Sequence, residues 1–328
     1  MRSKVSKELG RGQIRNKMIQ VGLCLVLLIV FSWGCSLNEV GFRQKNQLYE
    51  QQVQDKQAEK QDQQSKLYPP HPSFLTKQEL YEVLSGPKEQ INLEGTILGG
   101  VVPHHLVAGS LIADFLSALV PQKPKVIILV GPNHHNLGGR IITGFSAWQT
   151  PDGLVEIEEK IVQTLLEKSL VGQDEQVLSR EHSIGSLVPL IKHYLPQTKI
   201  VPLVLHHDVS LKEVDQLLTV LEPWLQEEKC VLLASVDFSH YLTRKQAEEK
   251  DRFTLKVMEN FAYPTLFHLD NDYLDSPASL AMVFRYAESK ELCDFQVLAN
   301  TNSGQILQND FIETTSYFTL VFLKSDQA

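Results

Sequence analysis

All eleven histidines fall after residue 70, ten of them after residue 93, and several stand directly behind apolar runs that read as strands. His104 and His105 follow TILGGVV through Pro103. His134 and His135 follow KVIILV through Gly131-Pro132-Asn133. His240 follows CVLLASV within Asp237-Phe238-Ser239-His240-Tyr241, and a further pair, Glu181-His182, stands just before a helical stretch. Imidazoles and carboxylates are the side chains that hold divalent metals and carry protons near neutral pH. In open α/β sheets such groups gather beyond the carboxyl ends of the strands. Three strands that deliver histidine to one edge therefore point to a metal or acid-base site. One strand-end histidine alone is more often a satisfied surface or capping residue; the placements together are poorly explained that way. His206 and His207, after KIVPLVL, read equally as loop residues before a helix start at Ser210. His71, His193 and His268 are given no role.

The elements that must position these groups are legible as short apolar runs at 96–102, 125–130, 140–144, 199–205, 230–236, 295–300 and 316–323. Stretches with apolar residues recurring at three and four lie between them, at 107–119, 155–169, 183–194, 210–226, 243–260 and 276–290, with one more helix at 77–84. Near-continuous Val/Ile/Leu strands separated by helices predict a single α/β domain with a central mixed, mostly parallel sheet covered by helices on both faces. No GxGxxG or GxxxxGK[ST] is present, so dinucleotide and P-loop sites lack support.

The chain carries 31 basic and 39 acidic side chains, a net charge of -8. Residues 1–17 hold six of the basic ones against one acid, which leaves 25 against 38 for the remainder. A body that acidic has no means of gripping a phosphate backbone, so nucleic acid is excluded as a partner. The basic leader precedes an uncharged apolar run at 18–35, ending Gly34-Cys35. That arrangement predicts a bacterial lipoprotein signal or an uncleaved signal anchor, with the bulk of the chain membrane-anchored on the extracytoplasmic side. Residues 44–66, with nine Gln and few apolar side chains, read as a solvated stalk. The expected layout is 1–35 leader and anchor, 36–72 linker, and 73–328 domain with its core at about 93–324. Cys230 and Cys293 read as small hydrophobes at strand starts.

The ordered strings VVPHHLVAGS, VGPNHH, WQTP, EHSIGSLVPLIKHYL, VPLVL and ASVDFSHY resemble the Memo-like family, protein B of the AmmeMemoRadiSam group, over about residues 93–324. That family is similar in fold to class III (LigB-type) extradiol dioxygenases. The resemblance implies a metal site whose first two ligands carry over to His104 and His134. The third family ligand is typically Cys in a CGxxP motif; here Leu274-Asp275-Ser276-Pro277 stands in its place, so Asp275 is the counterpart. Two imidazoles and one carboxylate form the facial set that suits non-haem Fe(II) and also accepts other ions. The implied cofactor is a divalent metal, Fe(II) ahead of Zn or Cu. Asp-Ser-Pro is also a good helix-capping sequence, and that reading of Asp275 stays open.

His240 matches the position of the dioxygenase acid-base histidine, with Asp237 to orient it or to serve as a further ligand; the alternative is that both cap the helix from 243. Glu181 and His182 offer a second proton carrier or a pair supporting a ligand from behind, and otherwise a helix start with Ser183 as cap. Three functional readings follow: an oxygenase-like metalloprotein acting on a small-molecule substrate, a non-catalytic peptide- or protein-binding module, and a metal-dependent hydrolase. The resemblance also implies AMMECR1-like or radical-SAM system partners, which an exported body would not meet in the cytoplasm.

Overall fold

The computed structural model describes Tyr49 and residues 68–86, 91–226 and 229–325. The chain divides into two units, Met1–Leu67 and Tyr68–Ala328, and the fold below is that of the second. Its helices are α1 (Lys77–Leu84), α2 (Gly109–Leu119), α3 (Glu159–Glu167), α4 (Glu175–Leu178), α5 (His182–Gly185), α6 (Val188–Tyr194), α7 (Leu211–Leu225), α8 (Arg244–Glu259), α9 (Tyr263–Leu266), α10 (Pro277–Ser289) and α11 (Ser303–Ile306). The strands are β1 (Thr96–Val102), β2 (Val126–Pro132), β3 (Ile141–Thr143), β4 (Trp148–Thr150), β5 (Gly153–Val155), β6 (Gly172–Gln173), β7 (Lys199–Leu205), β8 (Cys230–Ser235), β9 (Gln296–Asn302) and β10 (Ser316–Lys324).

Among the described residues, eight strands form one sheet in the order β6-β3-β7-β2-β8-β1-β10-β9. The central four, β7, β2, β8 and β1, pair in parallel, and β10 and β9 extend the β1 edge antiparallel. The sheet is thus mixed around a parallel centre, as its apolar runs predict. β4 and β5 form a separate hairpin, absent from the sequence-based expectation. Its turn is Pro151-Asp152-Gly153, with Gly153 at φ 114°, a conformation that glycine adopts without strain.

Consecutive residues of a strand face opposite sides of a sheet, and Gly99 and Gly100 of β1 show what covers each side. A Cβ on Gly100 would lie 2.6 Å from the Phe115 ring of α2, and one on Gly99 would lie 3.2 Å from Val283 of α10. Helices therefore press on both faces of β1, close enough that neither position admits a side chain without displacement. The core these layers enclose includes Ile127, Leu129, Leu203, Leu232 and Phe318, each fully buried.

Two expected helices are shorter than their periodicity. The stretch at 155–169 begins only at Glu159, because Gly153–Val155 is strand. The stretch at 183–194 breaks into α5 and α6 around Ser186 and Leu187, with Pro189 inside the first turn of α6. Upstream of α1 the chain is packed: His71 donates its N–H to Ala147 O at 2.7 Å and accepts from Gln149 N–H at 2.9 Å, and its ring lies 4.3 Å from that of Trp148. Phe74 sits so close to Gly185 that a Cβ there would be 2.2 Å from its ring. Cys230 is buried at the start of β8, whereas Cys293 is exposed.

The expected membrane anchorage is corrected: among the described residues no helix is long and apolar enough to cross a membrane. The basic leader, the apolar run at 18–35 read as a lipoprotein signal or anchor, and the Gln-rich stalk apart from Tyr49 lie outside the described residues.

Candidate metal centre

β2, β8 and β1 lie side by side and parallel, so their carboxyl ends open on one edge. His134 follows β2, Asp237 follows β8 and His104 follows β1. Asp275 reaches the same place from the segment before α10, where it is tied to Asp237 by a reciprocal pair. Asp275 N–H donates to Asp237 O at 3.1 Å, and Asp237 N–H donates to Asp275 Oδ2 at 3.2 Å. The helix cap is Ser276, whose side chain accepts from Ser279 N–H. Asp275 is therefore not needed as a cap, and its Oδ1 is buried without a hydrogen-bond partner.

The proton on His104 can be placed by counting donors. Ser235 Oγ donates its single proton to Ser183 O at 2.5 Å, so at 3.0 Å from His104 Nδ1 it can only accept. The ring therefore carries its proton on Nδ1 and turns the Nε2 lone pair toward Asp275 Oδ2 at 3.3 Å and Asp237 Oδ2 at 3.6 Å. Burial lowers the His104 pKa to about 3, outweighing the attraction of Asp275, so the ring is neutral across the physiological range. A lone pair and two carboxylates that converge repel unless a cation lies among them. The donor set fits a divalent metal.

His134 is arranged differently. Its Nδ1 bonds Glu181 Oε1 at 2.7 Å and its backbone N–H donates to Glu181 Oε2 at 3.0 Å. Glu181 is 2% exposed and also caps α5 through Ser183 N–H at 3.0 Å. His134 Nε2 then faces Asp275 Oδ2 at 3.8 Å. Burial lowers the His134 pKa, but the bonds to Asp275 and Glu181 win and hold it at about 10. Glu181 is drawn down to about 2 against its burial, chiefly by His134. A metal arriving here must displace the Nε2 proton.

His182 stacks on His134 with ring centroids 3.9 Å apart and lies 5.2 Å from His104. Burial lowers its pKa, with the His134 charge adding to the effect. Two overlapping groups could each hold an ion: His104, His134 and His182, or His104, Asp237 and Asp275, with ligand atoms within 4.8 Å of one another in each. The expected His104, His134 and Asp275 straddle the two. Asp237 Oδ1 accepts the His104 backbone N–H at 3.0 Å, and burial raises its pKa. His240 is close enough for its charge to lower that pKa, and its Nδ1 is buried with no hydrogen-bond partner.

Thr243, not Asp237 or His240, caps α8. His206 and His207 stay on the rim, the first bonded to Asp208. Ser235 is the contributor that sequence reasoning missed, since a serine ending an apolar strand carries no signal of its partner 131 positions away.

Comparison with known proteins gives one consistent result. The family model described as Memo-like protein matches residues 65–320. A MEMO1 family protein of Pyrobaculum aerophilum is 30% identical over 251 residues, covering 73% of this chain and 89% of its own length. Similar proteins of that family in Aquifex aeolicus and Thermotoga maritima are 27% and 28% identical, covering 78% and 73% of this chain and 96% and 86% of their own lengths.

Proposed function

This chain belongs to the Memo-like family, and we propose that it is a metal-dependent member in which His104, His134 and Asp275 hold Fe(II) as a two-histidine, one-carboxylate set. The observation that carries this reading is the meeting of His104 Nε2 with Asp275 Oδ2 at 3.3 Å and Asp237 Oδ2 at 3.6 Å, while Ser235 holds its Nδ1. When bound, Fe(II) supplies open positions where a small substrate and dioxygen can meet. The chain's own residues do the rest. Glu181 fixes the His134 ring from behind, as Ser235 fixes His104. Asp237 adds negative charge that favours the cation. His240, its Nδ1 buried and unpartnered, is the group to take a proton from a substrate hydroxyl.

A second reading rests on His182. With His104 and His134 it completes a three-histidine group, a set that suits zinc and a hydrolytic water. Purification of the full chain without oxygen, followed by metal analysis, separates the two. Stoichiometric iron that disappears in His104→Ala and His134→Ala, with oxygen uptake on a catechol, supports the first. Zinc retained in Asp275→Ala but lost in His182→Ala, with ester hydrolysis, supports the second. A protein that takes up neither ion refutes both.

A further inference from the structure

Asp251 is a buried carboxylate outside the metal centre. It lies on α8 in the charge-rich stretch Glu248-Glu249-Lys250-Asp251-Arg252, yet is only 3% exposed. A carboxylate so placed is tolerated when its oxygens are bonded, and both are. Oδ1 accepts from Ser316 Oγ at 2.5 Å and from Ser239 Oγ at 3.3 Å, and Oδ2 accepts from Asn300 Nδ2 at 3.0 Å. Ser316 has one proton, which goes to Asp251; its lone pairs remain for the Ser239 backbone N–H at 3.0 Å and the Ser239 hydroxyl at 2.7 Å, whose single proton is shared between Ser316 Oγ and Asp251 Oδ1. The main chains pair around this knot, Phe238 N–H to Ser316 O and Ser316 N–H to Ser239 O, both at 2.9 Å. Burial pushes the Asp251 carboxyl up to about 6 against the bonds from Ser316, Asn300 and Ser239, so at neutral pH it is ionised and the strongest acceptor in the group.

Ser239 lies between Asp237 and His240. Asn300 Nδ2 also donates to Tyr317 O at 3.2 Å, and Tyr317 Oη is 2.7 Å from His105 Nδ1. Bonds that start from one carboxylate thus reach the bases of the loops after β8 and β1, the two that bring Asp237 to His104.

We propose that Asp251 is a positioning residue, which through Ser316 and Ser239 fixes the loop carrying Asp237 and His240 and so sets where Asp237 stands against His104. Its effect on metal affinity rests on the metal reading above; its effect on the loop does not.

Hydrogen exchange on the full chain without metal tests the loop directly, because the His104 backbone N–H ends on Asp237 Oδ1 at 3.0 Å. In Asp251→Asn, and separately in Ser239→Ala, that amide is expected to exchange about tenfold faster while the amides of β2 and β7 keep their rates. The double variant should be no faster than the faster single one, because both changes cut the same path. Should Asp251→Asn fail to fold, Ser239→Ala carries the test. An unchanged His104 amide, a uniform rise across all strands, or additive effects overturns the proposal. A Mn²⁺ titration then separates the two readings. About tenfold weaker binding in the variants supports both, whereas a wild-type chain that binds no Mn²⁺, Fe²⁺ or Zn²⁺ but shows the His104 effect removes the metal reading and leaves this one standing.

Discussion

Ser235→Ala tests the proton placement on which the metal centre depends. The substitution removes the hydroxyl that donates to Ser183 O and accepts from His104 Nδ1, both buried. A buried polar group left without its partner costs about 1–3 kcal/mol. For stability the His104 ring can escape most of that cost: its proton moves to Nε2, which then donates to Asp275 Oδ2, 3.3 Å away. Ser183 O cannot escape, so unfolding free energy should fall by only about 1–2 kcal/mol. Metal binding is affected more, since the Nε2 proton must return to an Nδ1 that now has no acceptor. That restoration costs about 1–3 kcal/mol, or roughly 5- to 150-fold in the dissociation constant. Isothermal titration with Zn²⁺ and Mn²⁺ measures the loss, and ¹⁵N-histidine spectra of the metal-free protein report which nitrogen carries the proton. Wild-type His104 should show Nδ1–H and the variant Nε2–H. Metal affinity unchanged within twofold, or a wild-type ring protonated at Nε2, would refute the reasoning.

Other outcomes follow from the same geometry. Because His134 is protonated below about 10 in the metal-free protein, metal uptake near pH 7 should release a proton from Nε2, and apparent affinity should weaken by about tenfold for each unit the pH falls, read from titrations at pH 6, 7 and 8. The raised His134 pKa also stabilises the metal-free fold. That contribution is present in full below the ordinary value of 6.5 and is lost as pH rises toward 10, so chemical denaturation should show stability declining across that window. Asp275→Cys, which places a soft thiolate there, should move preference from Mn²⁺ and Fe²⁺ toward Zn²⁺ and Cu⁺ in competition titrations. Gly100→Ala would place a methyl 2.6 Å from Phe115 and 2.7 Å from Leu320 O; overpacking of that kind should destabilise by about 1–3 kcal/mol in denaturant unfolding.

Much of this was legible from residue order. Strand ends with histidine could be seen because a parallel centre demands unbroken apolar runs, and whatever follows such a run lands on one edge. The six long strands and the convergence of His104, His134 and Asp237 follow from that, whereas Asp275 entered only through the family resemblance and β3 is three residues long. What could not be read was contact between segments far apart. Asp275 looks as good a cap as Ser276 until Asp237 is found bonded to it 38 positions away. Asp251 sits among charges on a helix and reads as a solvated face, because nothing local tells that Ser239, Asn300 and Ser316 surround it. Membrane anchorage was inferred from a segment outside the described residues, and no described helix carries it.

The seating of Phe74 against Gly185 bears on how this protein is handled at the bench. Helix α5 begins with His182 and is capped by Glu181, so the aromatic ring supports the far side of the peptide that carries two residues of the centre. A recombinant fragment started at the first strand would omit that ring, together with the His71 main-chain bonds to Ala147 and Gln149. Its weak metal uptake or poor yield would reflect the cut, not the chemistry. Clones meant to assay this edge of the sheet should begin no later than Tyr68.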